Sequence, residues 1–421
     1  MTRFTNFIMI RLTTRTLQLP VRGKCSVFFC WCAFIYAGIT IKMRKDEGKM
    51  VKGIRKQAYG CEKYVSGKSM DEVMREYGLQ KVIKLGSNEN QYGPYENAKK
   101  AMEEEIALLN IYPERNYIHL KELLAEKFGV GSDWISLGHG AGNVLDSIAK
   151  TLLEDGDEVI VPQQSYRLYR EISKIMGAKV VEVSLTDKYE IDMKDFAKAL
   201  SDKTKIVWLC NPNNPTGSVV PKEDIDWFVD QLPENCWLII DEAYAEFADQ
   251  ELLPDTVKYI KEGKNVIGIR TFSKYYGLAG GRIGYLIANP ELVNWYDTVS
   301  EPFNANRIGL AGACALLEKD QENCKKYCEI MKADREMMNK KLTEMGCECY
   351  PSQANFVFFS TPYNADDVAE LLLRKGIIVR PCGGWGYDKH IRISIGTTEQ
   401  NKEVLKELEE AFRTLSEKEG E

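Results

Sequence analysis

A lysine shortly after an apolar run is the first residue whose type and position could do chemistry. Lys274 follows the run that ends at Ile269, and Thr271 and Ser273 lie between them. Arg282 comes eight residues later, after two glycines. A lysine whose amine is deprotonated by its surroundings can form an imine, and an arginine with two hydroxyl groups can hold a phosphate. A lysine in a solvated surface loop is the alternative.

A carboxylate follows a second apolar run. Residues 237–240 are apolar, and Asp241 comes next in the string WLIIDEAY, which ends at Tyr244. An unpaired carboxylate at a buried strand end is costly. We therefore expect Asp241 either to cap a helix or to pair with a buried cation. A protonated pyridine nitrogen is such a cation, and keeping it protonated makes the ring an electron sink.

Two turns follow further apolar runs. The string GHGAGN, residues 138–143, opens a predicted helix whose N-terminus favours an anion. Asn143 stands where the dinucleotide fingerprint needs its third glycine, which disfavours a nicotinamide dehydrogenase. The string NPNNPTG, residues 211–217, fixes a rigid turn that can direct the Asn214 amide at a ligand. Either turn could also be a plain connection.

Short apolar strands alternating with helices must position these four segments. We predict strands at residues 134–137, 158–161, 179–183, 205–209, 237–240, 265–269 and 284–288. Predicted helices between them include residues 143–153, 166–176 and 222–231. This alternation indicates an α/β fold with a largely parallel sheet covered on both faces. Ligands bind at the carboxyl ends of such strands, where the four segments lie.

The pattern changes after residue 301, and a chain of 421 residues is expected to form about two domains. A charged helical region near 306–345 precedes a strand at 356–359, a helix at 366–375, strands at 377–380 and 391–395, and a final amphipathic helix. We therefore predict a large domain over residues 101–301 and a smaller α+β domain over 302–421. Residues 50–100 are expected to form an N-terminal arm and part of the small domain.

Composition excludes several classes of protein. The net charge is −6, and residues 1–50 carry nine basic and two acidic residues, so the remainder carries −13. A body this acidic argues against non-specific nucleic-acid binding. The 12 cysteines form no C-x-x-C pair and only three histidines are present, so we expect scattered reduced thiols in a cytoplasmic protein rather than a zinc site.

The first fifty residues differ from the rest of the chain. Residues 27–41 form an apolar run with basic residues on both sides. The run could be a signal-peptide core or a short anchor, but it is shorter than the ~20 residues that a membrane span needs, and its basic far side resists translocation. We favour a third interpretation, in which Met50 is the native start, residues 1–49 are a disordered or non-native tail, and no membrane association is expected.

Taken together and in this order, the four segments resemble the pyridoxal-phosphate aminotransferases of fold type I. The resemblance covers about residues 58–415, and its closest branch is that of the histidinol-phosphate aminotransferases. Further strings similar to that branch are YVSGK (64–68), IKLGSNEN (83–90), PSQANF (351–356), GIIVRP (376–381), GGWG (383–386) and IRISIGT (391–397). The resemblance implies a large, mostly parallel sheet sandwiched by helices, a smaller α+β domain, and a homodimer with shared active sites.

The resemblance also implies a role for each matched residue. Lys274 would form the internal aldimine with pyridoxal 5′-phosphate and carry protons, and Asp241 would pair with the pyridine nitrogen. Tyr244 and Asn214 would bind the ring hydroxyl, and Tyr166 would stack on the ring. The cofactor phosphate would be held by Ala141, Gly142, Thr271, Ser273 and Arg282, and by Tyr112 of a second subunit. The substrate end would be lined by Tyr64, Asn355, Arg380 and Arg392.

The implied reaction moves an amino group between histidinol phosphate and 2-oxoglutarate, as part of histidine biosynthesis. Two alternatives stay open on the same scaffold: an aminotransferase for aromatic or other amino acids, and a pyridoxal-phosphate decarboxylase of the phosphothreonine type. A non-catalytic DNA-binding regulator is disfavoured, because residues 1–50 show no helix-turn-helix pattern and the lysine, aspartate and arginine are intact.

Four positions depart from the family's usual pattern. The family usually has asparagine at His139, an acidic residue at Asn143, proline at Gln91 and a bulky aliphatic residue at Gly281. None of these changes removes a catalytic group. Asn143 and Gly281 lie close in sequence to the predicted phosphate site. They leave the predicted cofactor unchanged and weaken the prediction of the substrate.

Overall fold

The computed structural model of the protein describes residues 7–12, 15–20, 53–63 and 67–419. The apolar run at 27–41, Met50 and Tyr64 lie outside these residues. Within the described residues, no helix combines the length and the apolar character needed to cross a membrane. The chain divides into two units, residues 1–54 and 55–421. In the first, β1 (Phe7–Leu12) pairs antiparallel with β2 (Arg15–Pro20).

A seven-stranded sheet is the centre of the second unit. Its strands are β4 (Ile135–His139), β5 (Glu158–Pro162), β6 (Lys179–Val183), β7 (Thr204–Cys210), β8 (Trp237–Asp241), β9 (Val266–Thr271) and β10 (Ile283–Ile287). They lie in the order β4-β10-β9-β8-β7-β5-β6, and only β10 runs antiparallel to its neighbours. The predicted, largely parallel sheet is therefore confirmed, with every predicted strand present.

Helices cover both faces of this sheet. One face packs on α2 (Glu96–Glu105), α3 (Ile118–Phe128), α6 (Met193–Ala199), α7 (Lys222–Val229), α8 (Thr256–Lys261) and α10 (Arg307–Lys319). The other packs on α4 (Ala141–Leu152), α5 (Leu168–Met176) and α9 (Pro290–Val299). Strand β7 shows the alternation, since Ile206 and Trp208 join the second cluster while Val207 and Leu209 join the first. Burial on both faces explains why these strands are continuous apolar runs in the sequence.

A second, smaller sheet lies in the C-terminal part. Strands β11 (Glu348–Tyr350), β12 (Phe356–Ser360), β15 (His390–Ser394) and β14 (Arg380–Pro381) follow one another in that order. Its core also includes residues of α11 (Gln321–Glu344), α12 (Ala365–Arg374) and α13 (Thr398–Glu419). The short β13 (Ile377–Ile378) pairs in parallel with β3 (Ile83–Lys84), so a strand from before residue 100 contacts this part of the chain.

The charged region predicted near 306–345 is two helices rather than one. Helix α10 ends at Lys319, α11 begins at Gln321, and Asp320 separates them with non-helical dihedral angles. The Asp320 carboxylate accepts hydrogen bonds from the Ala98 N–H at 2.9 Å and from the Asn97 side chain at 2.8 Å. It therefore satisfies free donors at the start of α2, a contact between segments more than 200 residues apart.

The N-terminal arm lies against α5. The Arg55 side chain donates to the Ile175 carbonyl at 2.8 Å, and the Glu62 N–H donates to the Glu171 carboxylate at 2.7 Å. Helix α1 (Met70–Tyr77) follows, and Ser69 forms a capping box with Glu72 at its start. The arm therefore runs along α5 from Ile175 toward Arg167, which pairs with Glu62.

Candidate active site

A cavity of about 610 Å³ lies at the carboxyl ends of β7, β8 and β9. Parallel strands whose carboxyl ends meet at one edge make such a crevice. Among the residues named from the sequence, the cavity brings together Ala141, Gly142, Tyr166, Asn214, Asp241, Tyr244, Thr271, Ser273, Lys274, Arg282, Arg380 and Arg392. Residues distant in sequence thus share one cavity.

Asp241 is the last residue of β8, and the residue is 4% exposed. One oxygen accepts from the Tyr169 hydroxyl at 2.6 Å and the other from the Ala243 N–H at 3.1 Å. Burial raises the pKa of Asp241 from 3.8 to about 6, against the lowering effect of these two hydrogen bonds. The group is still mainly ionised at neutral pH, and a buried cation in the cavity would stabilise it further.

Lys274 lies in the loop after β9, and its Nζ donates to the Ser87 carbonyl at 3.1 Å. The ammonium is 5.7 Å from the centre of the Tyr244 ring. Protein groups surround the amine, although the side chain keeps some access to solvent through the cavity. This desolvation, followed by the charge of Arg392, lowers the pKa of Lys274 from 10.5 to about 8. A usable fraction of the amine is therefore neutral, and thus nucleophilic, near neutral pH.

Three backbone features build an anion site at the start of α4. Gly140 precedes the helix with a φ of +78°, and a Cβ there would collide with the Arg282 guanidinium. Arg282 itself adopts a left-handed conformation with a φ of +54°. The first N–H groups of the helix, from Ala141 and Gly142, have no carbonyl partner inside the helix. A guanidinium and free N–H groups beside a helix N-terminus are suited to a phosphate.

Thr271 and Ser273, the two hydroxyl residues before Lys274, make different hydrogen bonds. Thr271 Oγ1 accepts from the Ser273 N–H at 3.1 Å and donates to the Ile283 carbonyl at 3.3 Å. Its hydrogen is therefore committed to the backbone in this arrangement. Both side chains still line the cavity beside Lys274.

A network around Asn88 joins the small sheet to the cavity. Asn88 has a φ of +55°, and its N–H donates to Ser394 Oγ at 2.7 Å. Its side-chain amide donates to the Tyr244 hydroxyl at 3.0 Å, and its carbonyl accepts from Asn355 Nδ2 at 3.1 Å. Asn355 does not line the cavity itself, but it bonds to Asn88, which does. Sequence reasoning did not single out Asn88, although a run of polar residues directly after β3 was a usable signal.

Two arginines come from neighbouring strands of the small sheet. Arg380 on β14 is the register partner of Arg392 on β15, and both line the cavity. Arg392 Nη2 donates to the Gly86 carbonyl at 2.8 Å, and Nη1 donates to Asn214 Oδ1. Its guanidinium also lies 5.9 Å from the Trp385 ring. This end of the cavity is cationic.

The remaining predicted residues lie apart from the cavity or at its edge. Tyr166 lines it and contacts Tyr169 edge-on at 5.5 Å. Tyr112 is 75% exposed, stacks on Phe303 at 4.6 Å and does not line the cavity of its own chain. Tyr64 lies outside the described residues, but nearby Glu62 pairs with Arg167, which lines the cavity.

The unusual residues near the anion site have local roles. The Asn143 side chain accepts from the His139 N–H at 3.1 Å, while the His139 side chain is exposed. Gly281 leaves room for Leu278, which a Cβ at that position would strike. The Gly281 carbonyl accepts a hydrogen bond from Asn306 Nδ2 at 2.6 Å. A neighbouring leucine therefore fills the space that a larger side chain at Gly281 would require.

Comparisons with known proteins identify relatives of this chain. The family described as "Aminotransferase class I and II" matches residues 80–408. The histidinol-phosphate aminotransferase of Caldicellulosiruptor saccharolyticus is 39% identical over 83% of this chain and 97% of the relative. The histidinol-phosphate aminotransferase of Bacillus velezensis is 38% identical over 85% of this chain and 99% of the relative. The crystal structure of histidinol-phosphate aminotransferase from Sinorhizobium meliloti, in complex with pyridoxal-5′-phosphate, matches with a TM-score of 0.78 at 28% identity, covering 87% of this chain and 99% of that one.

Proposed function

We propose that this chain, which belongs to the class I and II aminotransferase family, transfers an amino group between histidinol phosphate and 2-oxoglutarate in histidine biosynthesis. The observation that carries the proposal is one cavity holding a desolvated lysine, a buried carboxylate, an anion site and a pair of arginines. Relatives at 37–39% identity that bear the name histidinol-phosphate aminotransferase support this substrate.

The cavity fits pyridoxal 5′-phosphate, which when bound supplies an electron sink for the reaction at the amine carbon. Asp241 would stabilise the protonated ring nitrogen, because its own hydrogen-bond partners are neutral groups. The N–H groups of Ala141 and Gly142, with the Arg282 guanidinium, would hold the phosphate. Ser273 lines the cavity and is proposed as a further phosphate ligand, as is Thr271 once its hydroxyl turns away from the Ile283 carbonyl.

Tyr244 and Asn214 are suited to hold the ring hydroxyl group. The Tyr244 oxygen already accepts from Asn88, so its own hydrogen is free to donate. The Asn214 Oδ1 atom is engaged by Arg392, which fixes the amide so that its NH₂ group is the free end. Tyr166 is proposed to stack on the ring.

Lys274 is proposed as the nucleophile that holds the cofactor and then as the base that moves a proton at the amine carbon. A pKa of about 8 keeps the amine in equilibrium between both protonation states near neutral pH. The Ser87 carbonyl at 3.1 Å fixes the position of Nζ when the amine is free.

The small sheet and the N-terminal arm are proposed to bind the substrate. Two guanidinium groups on paired strands, Arg380 and Arg392, can hold the phosphate of histidinol phosphate and the carboxylates of 2-oxoglutarate in alternate half-reactions. Tyr64 and Asn355 are proposed to complete this end. On this proposal residues 101–301 hold the cofactor, and residues 302–421 with the arm at 50–100 supply the substrate contacts.

A homodimer and a cytoplasmic location complete the proposal. An exposed apolar face is formed by Leu109, Ile111, Tyr112 and Phe303, with Ile106 nearby in sequence. Exposed apolar patches of this kind mark protein–protein contacts. Arg307 holds the segment by donating to the carbonyls of Ile111 and Tyr112. A second copy on this face would place Tyr112 against the partner's phosphate site.

Half-reaction spectra of the holoenzyme test the proposal. Histidinol phosphate, tyrosine and phenylalanine would be mixed separately with enzyme, and the change in the cofactor's visible absorbance followed. We expect histidinol phosphate to react at least about tenfold more efficiently than either amino acid, and the Lys274→Ala variant to show no change. A faster reaction with tyrosine or phenylalanine favours the aromatic alternative. Release of carbon dioxide from phosphothreonine without an acceptor favours the decarboxylase.

A further inference from the structure

Two acidic residues line the cavity, and they differ in how their oxygens are used. Both oxygens of Asp241 accept hydrogen bonds at the sheet edge. Glu89 has a single ion pair among the described residues, from Lys84 Nζ to its Oε1 at 2.7 Å. The Lys84 and Glu89 side chains are 26% and 31% exposed. The second oxygen of Glu89 is therefore available to a molecule in the cavity.

The backbone that carries Glu89 is held in place by contacts at Ser87 and Asn88. The Ser87 carbonyl accepts from Lys274. Asn88 is bonded to Ser394, Tyr244 and Asn355. A carboxylate on such an anchored segment keeps a fixed distance from the reacting amine, as a specificity contact must.

The cationic groups near Glu89 in the cavity cannot accept a hydrogen bond from a ring N–H, as the Glu89 carboxylate can. Arg167, Arg380, Arg392 and Lys274 are donors when charged, so they bind phosphate or carboxylate groups. A ring N–H needs an acceptor, and a carboxylate is the strongest that a side chain offers. The imidazole of histidinol phosphate carries such an N–H and titrates near pH 6.5, so it binds a carboxylate either neutral or protonated.

We infer that Glu89 determines specificity by accepting a hydrogen bond from the imidazole N–H of the amino donor, while the arginine pair takes the donor's phosphate. This inference rests on the proposed function. Lys84 compensates the Glu89 charge when no donor is present. The Lys84–Glu89 pair is partly exposed, and solvent-exposed pairs are weak, so an incoming imidazole can compete for the carboxylate.

The Glu89→Gln holoenzyme tests the inference with two donors that differ only in the ring. Histidinol phosphate and phenylalaninol phosphate share the amine, the chain and the phosphate, but the phenyl ring has no N–H. We expect the ratio of their kcat/KM values to fall about ten- to a hundredfold in the variant, the effect of losing one hydrogen bond to a charged group. The Glu89→Asp variant, which keeps the carboxylate, should retain part of the preference.

A ratio is needed because Glu89 also acts on Lys274. Its charge raises the pKa of Lys274, so the variant alters the chemical step for both donors alike, and the ratio removes that common effect. Glu182→Gln is the matched control. Glu182 pairs with Arg170 at 2.8 Å with similar exposures of 34% and 24%, and neither residue lines the cavity. The ratio should be unchanged in this control.

Failure of the proposed function and failure of the role of Glu89 give different experimental results. A wild-type enzyme that does not use histidinol phosphate contradicts the proposed function itself. A wild-type enzyme that prefers histidinol phosphate, with the same preference in a cofactor-loaded Glu89→Gln variant, overturns the role of Glu89 alone. Loading is read from the visible absorbance, so a misfolded variant is not mistaken for either result.

Discussion

Replacing Tyr169 with phenylalanine should raise the pKa of Asp241 and weaken cofactor binding at neutral pH. The Tyr169 hydroxyl, at 2.6 Å, is one of two donors to a carboxylate whose pKa burial has already raised from 3.8 to about 6. In the apo-protein, ionisation of the buried Asp241 lowers the free energy of unfolding by about 3 kcal/mol above pH 6. This destabilisation disappears as the pH falls toward 4 and below, where the carboxyl group is protonated in both the folded and the unfolded protein. A hydrogen bond to a charged group contributes about 1.5–3 kcal/mol, so its loss should raise the pKa by about one to two units.

Pyridoxamine 5′-phosphate is the ligand that isolates this effect. It carries the ring nitrogen and the phosphate, but an amine in place of the aldehyde, so it cannot bond covalently to Lys274. Its affinity for the apo-protein would be measured by fluorescence quenching between pH 5 and 9. In the wild type the affinity should fall as the pH drops through about 6, because Asp241 becomes protonated. In Tyr169→Phe the same fall should occur at about pH 7–8.

Tyr259→Phe is the control for this measurement. Tyr259 is buried and donates to the Asp226 carboxylate at 2.8 Å, and neither residue lines the cavity. The control should keep the wild-type profile. If the Tyr169→Phe profile coincides with that of the wild type while the protein stays folded, then the phenol does not set the ionisation of Asp241 and the reasoning is wrong.

Three further predictions concern other parts of the site. The rate at which pyridoxal phosphate loads the apo-protein, followed by visible absorbance, should rise with pH and level off above about 8, because the pKa of Lys274 is lowered to that value. Gly140→Ala should weaken cofactor affinity at least about tenfold, because its Cβ would strike Arg282. Gly156 also has a positive φ, but a Cβ added there would have no neighbour within 4 Å. By contrast, therefore, Gly156→Ala should lower only the free energy of unfolding in urea, by about 1–3 kcal/mol. Ile111→Asp should give a monomer with little activity in sedimentation and turnover measurements, whereas Leu252→Asp, at another exposed site, should not.

Local patterns in the sequence were enough to predict the strands and the residues at their ends. A strand covered on both faces is an unbroken apolar run, and the first polar residue after it marks the sheet edge. For this reason the sequence alone predicts Asp241 and the turn that begins at Asn211 at that edge. The predicted bounds of the seven strands differ from the observed ones by at most two residues at either end.

Contacts between distant segments were not predictable in this way. Tyr169 lies on α5, and in the sequence it is one more aromatic residue of an amphipathic helix. Its hydroxyl nevertheless bonds to Asp241, 72 residues away. Asn88 contacts Ser394 across 306 residues. Asp320, which separates two helices of the predicted helical region, bonds to the start of α2. In each case the decisive partner comes from tertiary packing, which local periodicity does not encode.

The two adjacent carboxylates of the string DEAY show how the fold assigns different chemistry to like residues. Successive residues at a strand end point to opposite faces. Glu242 accepts from Arg270 Nε at 3.0 Å and from Thr256 at 2.8 Å, so its charge is neutralised by a buried guanidinium. Among the described residues, Asp241 accepts hydrogen bonds from a phenol and a backbone N–H. The charge of Lys274 lowers the pKa of Asp241 by less than burial raises it, so a cationic ring in contact with this carboxylate would be stabilised there.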